Sequence, residues 1–237
     1  MIEIRHAMAL AAGLGTRMRP VTNDRPKALV EVGGKTLLDW ALDRYAAGGI
    51  ERCVVNVHHF ADRMEVHLAR RAGGPAITVS DERDEVLETG GGVVKALPEL
   101  GPDPVFIANI DAIWEEAGAA SLDSLRAAWD GDRMDALLLL APMAATLGFD
   151  GPGDAFLDPD GQVRFRGEAD RAPYAYAGVQ ILHPRALEGR TVRRFSMMEV
   201  WRELAAAGRL HGVVLQSFWM HVGDPGALAE AEARLTG

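Results

Sequence analysis

The chain has 237 residues, of which 48% are hydrophobic and 25% are charged, an ordinary composition for a globular protein with a sizeable core. Its formal net charge of −9 argues against a general nucleic-acid binder, because no broad basic face is available to release counterions. The single cysteine excludes an internal disulfide, and the lack of an apolar run of about 18 residues or of a signal-peptide core predicts a cytoplasmic protein with no membrane partner.

Short apolar runs and helical patterns alternate along the first 140 residues. The apolar runs predict strands at 7–11, 52–57, 76–80, 104–110 and 135–141. Apolar residues at helical spacing predict helices near 36–47, 60–71, 90–97 and 121–129. This alternation is typical of an α/β fold with a mostly parallel sheet flanked by helices, in which ligands bind at the carboxyl ends of the strands.

The pattern changes after residue 142. A DPDG turn at 158–161 predicts a small hairpin. Strands are expected at 174–182, 210–215 and 218–222, and a helix near 196–207. Asp224 and Pro225 are typical of the N-cap and first residue of a closing helix. We expect one continuous domain, 1–237, with a nucleotide-binding part at 1–141 and a substrate-covering part at 142–237.

The first predicted strand ends in a turn that contains Gly13 and Gly15. Four cationic side chains follow at Arg17, Arg19, Arg25 and Lys27. Glycine lets backbone N–H groups approach a polyanion closely, and the cations can then neutralise phosphate oxygens. A plain solvated turn is the alternative, but a cationic cluster in an acidic chain with three lysines favours a phosphate-binding loop. The loop fits neither a Walker A motif nor a dinucleotide fingerprint.

Three further sites stand at the ends of predicted elements. The motif LETGGG at 87–92 places Thr89 and three glycines at a helix start, where free N–H groups could meet a base or a sugar hydroxyl, unless the glycines serve packing. Asp111 follows a buried strand, where it could hold a hard cation such as Mg²⁺ or cap the turn. His221 ends another apolar strand.

Five motifs in this order resemble the sugar-1-phosphate nucleotidylyltransferase family. They are AAGLGTRMRP, RPKALVEVGGKTLL, LETGGG, NID and WMHVGDP. The resemblance covers nearly the whole chain and implies a Rossmann-like fold that makes NDP-sugars. Within the family, the pattern is most similar to N-acetylmuramate-1-phosphate uridylyltransferases of peptidoglycan recycling. Heptose- and mannose-1-phosphate guanylyltransferases share much of it.

The resemblance also implies roles for individual residues. The nucleotide would be bound by Ala11, Ala12, Gly13, Gly15, Thr16, Arg17, Asp81, Glu82, Thr89 and Gly90. The sugar would be contacted by Asn109, Glu168 and Gly178, within a C-terminal sugar-binding section that contains the small hairpin. Arg17, Lys27 and Asp111 would be catalytic, with Asp111 binding Mg²⁺.

One departure from the family concerns the metal. The family usually has a second aspartate in a W-x-D-x-G pattern, at the position of His221. Mg²⁺ prefers oxygen, so His221 could ligate Mn²⁺ or Co²⁺ instead, Asp111 and phosphate oxygens could hold the metal alone, or activity could be lost. Asp224 could supply a carboxylate, although an N-cap role is favoured.

The expected reaction is transfer of a nucleoside monophosphate from an NTP to a sugar-1-phosphate, with release of pyrophosphate. The expected NTP is UTP, and the expected sugar phosphate is N-acetylmuramate-1-phosphate or a related compound. A non-catalytic nucleotide-binding module is the alternative from another class. The expected partners are the NTP and the sugar-1-phosphate, for a monomer or a small homo-oligomer.

Overall fold

Helices and strands alternate along the chain in the computed structural model, which describes residues 2–116 and 119–237. The helices are α1 (Leu37–Ala47), α2 (Ala61–Arg70), α3 (Glu88–Leu100), α4 (Ala120–Ala128), α5 (Met197–Ala206) and α6 (Pro225–Thr236). The strands of the first half are β1 (His6–Leu10), β2 (Glu31–Val32), β3 (Lys35–Thr36), β4 (Arg52–Val57), β5 (Ala76–Asp81), β6 (Val105–Asn109) and β7 (Ala112–Trp114). Those of the second half are β8 (Ala136–Pro142), β9 (Thr146–Leu147), β10 (Ala155–Leu157), β11 (Val163–Phe165), β12 (Tyr174–Leu182), β13 (Leu210–Val214) and β14 (Trp219–His221).

The main sheet is parallel at its centre, where β5, β4, β1 and β6 lie side by side in that order. Beyond β6 the chain adds β12 in antiparallel orientation, and β8 and β10 both pair with β12. Helices cover both faces of this sheet, with α1, α2, α4 and α6 contributing to one core and α3 and α5 to the other. The prediction of an α/β fold with a mostly parallel central sheet flanked by helices is therefore confirmed.

Both faces of the main sheet are buried, which explains why the sequences of the central strands are continuous apolar runs. In β1, Ala7 and Ala9 pack into one core while Met8 packs into the other, and all three side chains are fully buried. A strand with one solvated face would alternate apolar and polar residues instead. The five apolar runs thus predicted β1, β4, β5, β6 and β8 within a residue or two of their observed bounds, whereas the short strands β2, β3 and β7 were not predicted.

The predicted hairpin forms between β10 and β11, where Phe156 pairs with Arg164 across the DPDG turn. The short strand β14 leaves the main sheet and pairs with β7, which places His221 opposite Ala112. This pairing brings His221 next to Asp111, which lies between β6 and β7.

Side-chain caps define where α1 and α6 begin. The Thr36 hydroxyl accepts a hydrogen bond from the Asp39 N–H at the start of α1. Asp224 Oδ1 accepts from Gly226 N and Ala227 N at the start of α6, and Pro225 is its first residue. Asp224 is therefore an N-cap, as its Asp-Pro context predicts. Within the described residues, none of these helices is both long enough and apolar enough to cross a bilayer.

Candidate active site

A cavity of about 360 Å³ opens at the carboxyl ends of the parallel strands. The register explains why, because Leu10 at the end of β1 pairs with Asn109 at the end of β6, and Asn56 near the end of β4 pairs with Ser80. The predicted site residues that line it are Ala11, Ala12, Gly13, Gly15, Thr16, Arg17, Lys27, Glu82, Thr89, Asn109 and Asp111. A volume in this range suits a small-molecule ligand.

The loop after β1 is fixed by its own contacts. Gly15 has a φ of 63°, and the Thr22 hydroxyl donates to its carbonyl oxygen at 2.8 Å. The N–H groups of Ala11 and Ala12 both donate to Asn56 Oδ1, so they are not free to hold a ligand. Within the described part of the chain, no hydrogen bond occupies the N–H groups of 13–15, which leaves three donors at the cavity wall.

The four predicted cations have different partners. Lys27 is nearly buried, and its Nζ lies 2.8 Å from Asp111 Oδ2. Arg25 forms an exposed ion pair with Asp24. The Arg17 side chain lines the cavity, and no ion pair engages it among the residues that the structure describes. Arg19 likewise forms no ion pair among the described residues, but it does not line the cavity. Arg17 is therefore the loop cation at the cavity wall that an anionic ligand could bind without displacing an existing partner.

Asp111 remains ionised despite its burial. Removal from water favours the neutral acid, but the Lys27 ammonium and the His221 ring outweigh that effect and hold the pKa of the carboxyl well below its usual range. A buried carboxylate of this kind needs cationic partners to be stable. The site thus places the Asp111 carboxylate directly against the Lys27 side chain.

His221 approaches the same carboxylate oxygen of Asp111 as Lys27. Its Nδ1 is 3.2 Å from the carbonyl oxygen of Gly148, and a carbonyl only accepts, so Nδ1 carries the hydrogen. Its Nε2 is 3.5 Å from Asp111 Oδ2. Histidines that bind a metal through one nitrogen commonly donate the other N–H to a carbonyl or carboxylate. The hydrogen bond to Gly148 thus fixes the orientation of the ring, with Nε2 turned towards Asp111.

The donor set fits a divalent cation that also takes oxygens from its substrate. Across residues 2–116 and 119–237, no group of three or more histidine, cysteine, aspartate or glutamate side chains could enclose a metal ion. Asp111 and His221 provide one carboxylate and one imidazole. Cations in phosphate-handling sites are often held by one or two protein ligands together with substrate phosphates.

The glycines of LETGGG are used for packing. Gly90 and Gly91 both donate their N–H groups to the carbonyl oxygen of Phe195, so the prediction that these donors are free for a base is wrong. A Cβ on Gly90 would overlap the Phe195 ring, and one on Gly91 would overlap the carbonyl oxygen of Arg193. Thr89 does line the cavity, and its hydroxyl accepts from Met197 N at 2.8 Å.

Three other predicted residues lie away from the cavity wall. Asp81 is exposed and pairs with Arg83, which lowers the pKa of its carboxyl through hydrogen bonds from the Arg83 backbone and guanidinium. Glu168 is exposed in a turn of the second half. Gly178 is buried, and a Cβ there would lie 2.6 Å from the Ala112 side chain, so it permits close packing behind Asn109.

Several residues that line the cavity were not named individually as site residues from the sequence. They are Leu10, Leu14, Asn56, Val86, Glu88, Ile110 and Gly223. Of these, Asn56 carried a usable signal, because an amide is the one strongly polar residue in the apolar part of β4 and stands near its carboxyl end. The others lie beside predicted motif residues in the chain.

Comparison with known proteins agrees with this geometry. A family model for MobA-like NTP transferase domains matches residues 7–143. An N-acetylmuramate alpha-1-phosphate uridylyltransferase of Caulobacter vibrioides is 55% identical over 232 residues, 97% of this chain and 96% of that protein. A protein of the same name from Neisseria meningitidis is 31% identical over 229 residues, 96% of each. The inositol-1-phosphate CTP transferase of T. maritima superposes with a TM-score of 0.77 at 19% identity, covering 98% of this chain and 96% of that one.

The fold and its carboxyl-edge cavity are those of a nucleotidyltransferase. The chain belongs to the family of MobA-like NTP transferase domains. The resemblance to sugar-1-phosphate nucleotidylyltransferases, and to N-acetylmuramate-1-phosphate uridylyltransferases in particular, is confirmed.

The packing of α3 against the Phe195 segment predicts a stability effect. Gly91→Ala should lower the free energy of unfolding by ~1–3 kcal/mol, because the new methyl group overlaps a backbone oxygen. Gly13→Ala is the matched control, since nothing lies within 4 Å of a Cβ there, and should change stability by less than about 0.5 kcal/mol. Urea unfolding of both variants measures this difference, and equal stabilities would contradict the packing role.

Proposed function

We propose that this protein transfers UMP from UTP to N-acetylmuramate-1-phosphate, giving the UDP-sugar and pyrophosphate. The observation that carries the proposal is the meeting of three phosphate-binding features in one cavity: free N–H groups at 13–15, the Arg17 guanidinium and the Lys27–Asp111 pair. The identity of the base and the sugar is supported by the 55% identical relative, whose name specifies both.

The chemistry requires positioning and charge neutralisation. An oxygen of the sugar-1-phosphate attacks the α-phosphorus in line, the new P–O bond forms, and the bond to the β-phosphate oxygen breaks to release pyrophosphate. The attacking oxygen of the sugar-1-phosphate is already anionic at neutral pH, so no general base is needed. We assign Lys27 to the α-phosphate and the sugar phosphate, and Arg17 with the loop N–H groups to the triphosphate.

We propose that Asp111 and His221 hold a divalent cation in the working enzyme. When bound, such a cation neutralises phosphate charge and orients the phosphate oxygens. Mg²⁺ is suited to the carboxylate, whereas the imidazole favours Mn²⁺ or Co²⁺. The orientation of the His221 ring, with Nδ1 donating to a carbonyl oxygen, supports its role as a ligand.

We propose that 1–237 is one domain whose two parts serve the two substrates. The first part, 1–141, supplies most of the cavity wall and would bind the nucleotide, with Thr89 on the side of the base. The second, 142–237, would cover the sugar phosphate, with Asn109 beside Gly178 at the boundary. The net charge of −9 fits small-molecule partners rather than nucleic acid, and cytoplasmic UTP fits a cytoplasmic enzyme.

A matrix of nucleotides and sugar phosphates tests the function. UTP, GTP, CTP, ATP and dTTP are each combined with N-acetylmuramate-, mannose-, heptose- and N-acetylglucosamine-1-phosphate, and pyrophosphate release is measured. We expect the highest kcat/KM for UTP with N-acetylmuramate-1-phosphate. Preference for GTP with mannose- or heptose-1-phosphate would identify a guanylyltransferase instead. Calorimetric NTP binding without pyrophosphate in every combination would identify a binding module.

The role of Lys27 predicts a loss of turnover. Lys27→Met keeps the aliphatic stem but removes the charge, and should lower kcat by about 10²–10³-fold, the range for comparable electrostatic groups. Lys35→Met is the matched control, because Lys35 also pairs with an aspartate, Asp43 at 2.7 Å, but is half exposed and lies outside the cavity wall. Similar turnover in the two variants would refute the assignment.

The role of His221 predicts a change in metal preference. In His221→Asp the ratio of activity with Mg²⁺ to activity with Mn²⁺ should rise, and paramagnetic resonance should report altered Mn²⁺ binding, because an oxygen replaces the imidazole nitrogen. His183→Asp is the control, since His183 follows β12 beside the start of β6, at the opposite end of the strands from the cavity, and an aspartate there can still accept from Arg185 N. An unchanged ratio and unchanged Mn²⁺ spectrum in His221→Asp would rule out ligation.

A further inference from the structure

Asn56 is a buried amide whose oxygen binds the start of the phosphate-binding loop. Its side chain stands near the carboxyl end of β4 and the residue is 2% exposed. Oδ1 accepts from the N–H of Ala11 at 2.7 Å and from the N–H of Ala12 at 3.3 Å. Two successive peptide groups are thereby directed toward β4, immediately before the three free N–H groups at 13–15.

The other end of the same amide binds a carboxylate. Asn56 Nδ2 donates to Glu82 Oε1 at 2.8 Å, and Glu82 Oε2 accepts from Leu87 N at 3.4 Å. Glu82 is 1% exposed. A Cβ on Gly92 would lie 2.9 Å from both Asn56 Nδ2 and Glu82 Oε1, so the absence of a side chain there leaves room for the pair.

The contacts determine which way the amide points. A reversed Asn56 would direct its NH₂ group at two backbone donors and its oxygen at the Glu82 carboxylate, and every one of these contacts would be repulsive. Asn56 therefore couples the loop after β1 to the segment between β5 and α3 through one chain of hydrogen bonds. Partners that are all satisfied make such a buried network rigid.

Packing alone does not require this arrangement. Val55 and Val57 on either side of Asn56 are apolar and fully buried, and an apolar residue would avoid the cost of burying an amide. What an apolar residue would lose is control over the Ala11 and Ala12 peptide planes. That control matters for a loop whose following N–H groups must face a phosphate before it arrives.

We propose that Asn56 and Glu82 are positioning residues for the nucleotide: together they fix the loop so that the N–H groups at 13–15 are preorganised to bind the triphosphate. This inference rests on the proposed function, since it assumes that an NTP occupies the cavity. It assigns to Glu82 a role through Asn56, in place of direct contact with the base.

A charge-exchange pair of variants tests the coupling. Asn56→Asp keeps an acceptor for the loop but places two carboxylates face to face, and should weaken UTP binding by about 10- to 100-fold. Glu82→Gln should have less effect, because its oxygen can still accept from Asn56. The double variant Asn56→Asp/Glu82→Gln restores every hydrogen bond and reverses only the one between the two side chains, because the new amide at position 82 would donate to the new carboxylate at position 56 and still accept from Leu87 N. Its affinity should return to within about threefold of wild type.

The measurements are the calorimetric Kd for UTP, the KM and kcat for UTP, and the thermal midpoint of each variant. We expect Kd and KM to rise in Asn56→Asp while kcat at saturating UTP falls less, because Lys27 and Asp111 are untouched. A purely structural role would lower the thermal midpoint and leave KM unchanged. Gln180→Met is the control, since Gln180 is an equally buried amide, bonded to Trp201, outside the cavity wall, and should lower stability without changing Kd.

Each outcome decides the proposal. Weak binding in Asn56→Asp that the double variant rescues supports it. Wild-type affinity in Asn56→Asp, or equally weak binding in the single and double variants, overturns it. If Asn56→Asp does not fold, Asn56→Leu takes its place, and an unchanged Kd overturns the proposal. Wild-type protein that binds UTP but releases no pyrophosphate would refute the proposed function alone, whereas wild-type protein that binds no NTP would refute both.

Discussion

The ion pair between Lys27 and Asp111 is the interaction on which the candidate site depends. The two residues are 84 positions apart in the chain and come within 2.8 Å because β1 and β6 are neighbours in the sheet. A partly buried carboxylate such as Asp111 is costly unless a cation accompanies it, and the segment from Gly15 to Lys27 folds back over the end of β6 to supply that cation. The fold therefore places an ion pair between Lys27 and Asp111 at the end of β6.

A second constraint connects the two parts of the chain. The segment around Phe195 packs so closely against the start of α3 that Gly90 and Gly91 cannot carry side chains. Glu88 also forms an ion pair with Arg194. Because Thr89 lies at the cavity wall and binds Met197 N, the position of α5 is fixed relative to the cavity. Glycine destabilises a helix because it loses more conformational entropy than other residues. Here that destabilisation is offset by contacts between sequence regions about a hundred residues apart.

Sequence reasoning succeeded where burial alone determines structure. The continuous apolar run of β1 required a strand buried on both faces, and the rule that ligands bind at the carboxyl ends of parallel strands placed Lys27 and Asp111 in one cavity. It failed where a backbone group had a distant partner. The N–H groups of Gly90 and Gly91 looked free because nothing local binds them, and only the folded chain brings Phe195 to them. No local pattern encodes such a contact.

The local charge of the cavity differs from that of the whole protein, and this difference follows from pairing. The chain carries a net charge of −9, which by itself would repel a triphosphate. Within the cavity wall, however, Lys27 neutralises Asp111, while Arg17 has no carboxylate partner among the described residues. The N–H groups at 13–15 add further positive potential, because Asn56 occupies only the two donors before them. An anion that enters from this edge of the sheet can therefore approach the Arg17 guanidinium and these N–H groups directly, while the carboxylates of Glu82 and Glu88 line other parts of the same cavity.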